Sequence, residues 1–243
     1  MIRGLYGAAT ALDAAQQNHD VIAQNLANAT MPGYRRQGIT FGTFDHAMAS
    51  ASADTTAKKL AGTTVSQVFH SFEHGGMQHT GNPLDLAIDG DAFFVLQGPR
   101  GPLYTRNGTF KLNADGELQS QNGLPVLGNG GPIRIPPNSA NIVITQEGAI
   151  VADHNTVGQL QLARFGDPSK LVAAGTTLFE APPGVVPQDG GGAGVRQGYR
   201  ENSNVNVVHE MVSMITGARH FEAAQRSLRA LSDAIQLQTR PQA

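Results

Sequence analysis

His70, Glu73 and His74 pose the question of chemistry first, in the stretch His70-Ser71-Phe72-Glu73-His74. Their spacing is the H-x-x-E-H pattern of one zinc-peptidase group. There, two imidazoles on one helical turn hold the metal and a carboxylate acts as base. Such a site needs a helix at this point and a third ligand downstream. Gly75-Gly76 follows at once and the local pattern is not helical, so the expected reading is a surface strand or turn that carries histidines. A zinc hydrolase using His70 and His74 stays as a remote alternative. Asp85, Asp89 and Asp91 could suggest a hard-cation site, but they fail the calcium-loop spacing, and Asp-Gly-Asp is ordinary turn chemistry. The run Gly190-Gly191-Gly192-Ala193-Gly194 lacks the Lys-Ser/Thr and helix start of a phosphate loop, and reads as a flexible linker. His19 sits on a helix seam and reads as a buried or interface histidine. No catalytic residue, cofactor or metal is assigned, and the chain is expected not to be an enzyme.

The totals narrow the partners. A net charge of −2 over 243 residues argues against nucleic acid or an anionic membrane held by bulk charge. Cys is absent, which excludes disulfides and thiolate metal sites. With no Trp and few Tyr there is no aromatic platform for a carbohydrate- or peptide-binding module. No apolar run reaches the roughly 18 residues of a membrane span. The stretch MIRGLYGAATALDAAQQNHD lacks a continuous apolar core and carries Asp13 and Asp20, so a cleavable secretory signal is not expected.

Positioning falls to two long helices. In Ser203–Thr239, Val207, Met214, Phe221, Leu228 and Ile235 recur every seventh residue, with Met211, Ala218, Ala224 and Leu231 near the complementary position. Asn202, Ser203 and Asn204 can each cap this helix, which would run about 50 Å. At the other end Leu5, Ala8, Leu12, Ala15, His19, Ile22, Leu26 and Ala29 alternate steps of three and four, a second seam of large and small residues. The first helix stops at Met31-Pro32-Gly33-Tyr34, because Pro disfavours helix before it and Gly permits a turn. Gln37 to Phe44 reads as a short strand, and the Ala/Ser/Thr-rich Asp45 to Val68 as an extended connector. Val208, Ile215 and Ala27 lie beside or outside the seams, apolar surface that two helices alone do not cover.

Between Gly75 and Gly198 the composition turns to Gly and Pro. Asn107-Gly108, Asp115-Gly116, Asn122-Gly123 and Asn129-Gly130 punctuate short apolar runs such as Ala92–Leu96, the signature of successive β-hairpins. Pro182 to Gly198 reads as the exit from this domain. The expected fold is α+β: N- and C-terminal long helices paired as a coiled-coil-like hairpin, with an inserted antiparallel all-β domain. The boundaries are 1–30 and 203–243 for the helical assembly domain, 31–74 for the connector and 75–198 for the β domain. Assembly would use Leu5, Leu12, Ile22 and Leu26 with Val207, Met214, Phe221, Leu228 and Ile235.

Three segments carry a family resemblance. Asn25 to Arg36, NLANATMPGYRR, resembles the N-terminal signature of the bacterial flagellar axial proteins, the rod, hook and hook-associated proteins. Asn25, Ala27, Asn28, Pro32, Gly33, Tyr34 and Arg35 fit it, with Met31 where Thr is usual. Thr80 to Gly108 is similar to the signature of the β domain shared by rod and hook proteins. Gly198 to Glu222 is similar to the C-terminal signature, through Ser203, Asn204, Glu210 and Met211, with Arg200-Glu201-Asn202 in place of the usual Leu-Glu. The resemblance implies a structural subunit of the flagellar basal-body rod, an axial drive-shaft built from terminal helices. Its implied partners are other copies of itself, neighbouring rod and hook proteins, and the flagellar type III export apparatus. It implies export without a cleaved signal, a periplasm-spanning location, no nucleic acid and no membrane insertion. Arg219-His220-Phe221-Glu222 looks more like the proximal-rod than the distal-rod type, and a distal-rod or hook-type axial protein is the alternative.

Overall fold

Residues 2–27 are rich in Ala and free of Pro, and they form α1, Ile2–Ala27. The computed structural model describes residues 2–43, 63–136, 139 and 141–239. Its described residues form two long helices and otherwise mostly strands, a mixed α/β fold. They fall into two compact units. Unit one draws on residues 2–27, 37–43, 63–71 and 206–239, and unit two on 28–36 and 72–205.

In unit one, β1 (Gln37–Thr43) pairs antiparallel with β2 (Thr63–His70), from Gln37 opposite His70 to Thr43 opposite Thr63, with a bulge at Thr40/Phe41. Residues 63–68, read as connector, are therefore strand, while 45–62 lie outside the described residues. The β-branched Thr63, Thr64, Val65 and Val68 account for the strand. The second helix, α2, is Val207–Thr239. Its cap is Asn206, whose Oδ1 accepts from His209 N at 3.1 Å, not Asn202, Ser203 or Asn204. Those three are engaged elsewhere, as shown below. Helix α1 packs against α2.

In unit two, β3 (Met77–His79), β4 (Leu86–Asp89), β5 (Ala92–Gln97) and β6 (Pro102–Thr105) lead into a six-stranded antiparallel sheet. Its order is Val172–Ala173, Leu178–Glu180, β6, β5, Leu162–Arg164, Gln188–Asp189. Strand β5 reads Ala-Phe-Phe-Val-Leu because it is buried on both faces. Phe94 and Leu96 enter a core with Leu86, Ile88 and Ile150, while Phe93 and Val95 enter a second with Tyr104, Phe165 and Phe179. Asp115-Gly116, Asn122-Gly123 and Asn129-Gly130 lie at hairpin turns, with bonds such as Gly116 N to Asn113 O and Gly123 N to Ser120 O. Asn107-Gly108 does not join paired strands. Gly108 O instead accepts from Leu86 N at 2.9 Å, a close crossing of chains.

The glycine run is not a linker. Gln188–Asp189 is the edge of the large sheet, and Gly194–Gln197 pairs with β4, burying Val195. Gly190 is needed here because a Cβ on it would lie 2.9 Å from Leu162 Cβ and 3.0 Å from Ala92 Cβ. Close approach of backbone to packed side chains, rather than freedom, explains the composition.

Candidate assembly interface

On α2 the face toward α1 holds Glu210, Met214, Gly217, Phe221, Ala224 and Leu228, spaced four and three residues alternately. Glu210 and Gly217 are buried, and Met214, Phe221, Ala224 and Leu228 are half-buried. A Cβ on Gly217 would lie 3.9 Å from Ile22 Cδ1, so the helices meet closely at this pair. On α1, Ile22 and Ala14 are buried, and Leu12, Ala15, His19 and Leu26 are half-buried. Met211 and Ala218 are exposed and do not belong to the seam. Gly217 takes that position instead, and a side-chain pattern cannot reveal a residue without a side chain. Val207 is 37% exposed at the start of the helix. The side chains of Leu5, Leu231 and Ile235 lie outside the described residues.

Away from the seam, Val208, Met211, Val212 and Ile215 sit at i, i+3, i+4 and i+7, which is one helical face. They are 71%, 49%, 58% and 57% exposed. Four large apolar side chains in one stripe are unusual on a surface that meets only water.

The Asn25–Arg36 motif serves both units. In unit one, Asn25 is fully buried, donates from Nδ2 to Gln37 O at 2.9 Å and accepts at Oδ1 from Gln37 N at 2.8 Å. Its amide thus mimics a strand partner and ties β1 to α1. In unit two, Asn28 O accepts from Met31 N at 3.0 Å, closing the turn that half-buried Pro32 and Gly33 complete. Gly33 has φ +69°, and a Cβ on it would collide with the backbone of Asn107. Only Gly fits both conditions. Tyr34 and Arg35 are buried, at 0% and 1% exposure.

Arg35 leads to a buried ionic cluster. Its Nη2 lies 2.8 Å from Glu201 Oε1, and Nη1 donates to Glu73 O at 3.0 Å. Arg106 Nη1 lies 3.5 Å from Glu201 Oε2, while Nη2 donates to Gly90 O at 2.6 Å. The Arg106 guanidinium also lies over the Phe93 ring, 5.1 Å from its centroid. Burial lowers the Arg106 pKa to about 10, against the opposing pull of Glu201, so it stays a cation at neutral pH. Glu201 Oε1 takes a further bond from Gly75 N at 2.9 Å, and Glu201 O one from Gly33 N at 2.8 Å. Beside it, Asn204 Oδ1 accepts from Arg36 N at 2.7 Å and Nδ2 donates to Glu73 O at 3.0 Å. Ser203 Oγ accepts from Val205 N at 3.2 Å. The sequence marked Arg35 and Asn204 as motif members but not the cluster. Nothing local to Arg35, Arg106 or Glu201 announces partners this distant.

The residues considered for chemistry have other employment. His70 ends β2, and residues 71–76 are not helical, so the turn that H-x-x-E-H zinc binding requires is not formed. His74 Nε2 lies 3.0 Å from Asp91 Oδ1. Asp89 pairs with Arg196 at 2.6 Å, and Asp85 accepts from Asn82 Nδ2 at 3.2 Å. The three aspartates therefore hold three different partners.

Three family models match the chain. Residues 5–35 match the flagella basal body rod protein model, 87–152 the flagellar hook protein FlgE/F/G D1 domain, and 196–237 the flagellar basal body rod FlgEFG protein C-terminal. Arg35, Arg106 and Glu201 come one from each match. The chain is 35% identical over 226 residues to the flagellar basal-body rod protein FlgF of Mesorhizobium japonicum, covering 90% of this chain and 88% of that relative. It is 33% identical over 258 residues to the flagellar basal-body rod protein FlgG of Buchnera aphidicola subsp. Schizaphis graminum, covering 97% and 98%. Against the FlgG of Bacillus subtilis it is 30% identical over 257 residues, covering 97% of each. Relatives of both types match at similar identity, so the comparisons carry the family and do not separate FlgF from FlgG. The chain belongs to the flagellar basal-body rod protein family, as a structural subunit of the rod and not an enzyme.

Proposed function

We propose that this subunit joins the rod by burying helices α1 and α2 against neighbouring subunits. In this reading the helices pair as a coiled-coil-like hairpin on Leu5, Leu12, Ile22, Leu26, Met214, Phe221, Leu228 and Ile235. Val207 and the outward stripe of α2 then meet the neighbours. The neighbours are other copies of the chain and adjoining rod or hook proteins. The subunit reaches a rod that crosses the periplasm through the flagellar export apparatus. Of the two types, the proximal-rod one is preferred on Arg219-His220-Phe221-Glu222.

The observation that supports this most is the exposure of Val208, Met211, Val212 and Ile215 on one face of α2. Complete burial of one such side chain is worth about 1.5–3 kcal/mol, so covering the stripe supplies a substantial drive for association. The test is the double variant Val208→Asp/Ile215→Asp. Its helical content by circular dichroism is expected to match the wild type, while its incorporation into purified basal bodies is lost. Normal incorporation would remove the stripe from the interface.

A further inference from the structure

We propose that Glu201 is a positioning residue that makes the loop 28–36 and the strand 199–201 depend on each other for order. One residue bonds three separate segments of unit two. Its main-chain carbonyl takes Gly33 N, its Oε1 takes Arg35 Nη2 and Gly75 N, and its Oε2 faces Arg106 Nη1. Both arginines and Glu201 are at most 3% exposed. A carboxylate so buried is stable only with its cations in place, and each buried guanidinium has the same need. Withdrawing Arg35 therefore leaves Glu201 with the longer Arg106 contact, and withdrawing Glu201 strands two cations. The dependence runs both ways, as any coupling between two sites must.

Neighbouring bonds extend the arrangement. Asn204 holds Arg36 N and Glu73 O, and Asn202 N donates to Gly76 O at 2.9 Å. Residues 33–36, 73–76 and 201–204 are thus cross-tied at adjacent points, with Glu201 as the member that meets both Arg35 and Arg106. An isolated ion pair would fix only its two side chains. This arrangement fixes three stretches of main chain. It uses no residue of the outward stripe of α2, so failure of either idea leaves the other intact.

The experiment is residue-resolved amide exchange on the full chain and on Glu201→Gln, Arg35→Met and the double variant. Exchange at Gly33, Arg36, Gly75 and Asn202 is expected to rise together, at least tenfold, in either single variant. Phe94 and Leu96 in β5 keep their protection, and the double variant adds little to either single one. Rises confined to Gly75 in Glu201→Gln, or effects that simply multiply in the double variant, would overturn the proposal. If β5 loses protection too, Arg35→Lys decides, since it keeps the charge and loses one of the two donor arms. A concerted rise at the same four amides supports the coupling, and unequal, unrelated changes overturn it.

Discussion

Arg35 and Glu201, 166 positions apart, form an ion pair of 2.8 Å from which water is excluded on both sides. Buried pairs are costly to break because the survivor keeps its charge without its partner. Arg35→Met is expected to destabilise unit two by about 3–5 kcal/mol in urea unfolding. Replacing Arg35, Arg106 and Glu201 together by apolar residues of similar size should cost far less, because no charge is then left behind.

Asn25 meets Gln37 through two bonds, one in each direction. Asn25→Ala removes both and leaves main-chain groups without partners, at about 1–3 kcal/mol. Faster amide exchange at Gln37 and Gly38, with α2 unchanged, is the expected signature.

Gly33 and Gly130 predict opposite outcomes for one substitution. Gly33→Ala adds an αL strain of roughly 1–2 kcal/mol to a collision with Asn107 that costs as much again. A Cβ on Gly130 meets nothing within 4 Å, so Gly130→Ala should shift stability by no more than about 0.5 kcal/mol. Thermal unfolding of the two variants side by side checks the contrast.

The two faces of α2 should also separate. Phe221→Ala, on the seam, is expected to lower the stability of unit one by about 2 kcal/mol. Ile215→Ala, on the stripe, should stay within about 0.5 kcal/mol in the isolated chain and show its effect only on assembly.

Removing Pro187 to Gly194 should abolish cooperative unfolding of unit two. The deletion takes away the Gln188–Asp189 edge and the start of the partner of β4. An unchanged calorimetric transition would contradict this.

Much of this was legible in the residues. The steps of three and four along Leu12, Ala15, His19, Ile22 and Leu26 located the buried face of α1, and the run Ala92–Leu96 located the central strand. Turn chemistry at Asp115-Gly116, Asn122-Gly123 and Asn129-Gly130 placed three hairpins, since each dipeptide acts locally. What escaped depends on distance or on a missing side chain. Gly190–Gly194 looks like slack until Leu162 and Ala92 are beside it. Gly217 leaves no mark in a heptad of large residues, and Glu210 is polar, so the side-chain pattern points to Met211 and Ala218 beside them. Arg35 and Arg106 share a partner, Glu201, that lies far along the chain from both, so no local pattern joins the three.

That separation has a consequence in time. Ribosomes extend a chain at about 5–20 residues per second, so Arg35 emerges on the order of ten seconds or more before Glu201. Throughout that interval the loop 28–36 lacks the Glu201 carboxylate, and β3 lacks its partner strand 199–201. The loop 28–36 therefore gains its buried counter-charge only after synthesis is nearly complete.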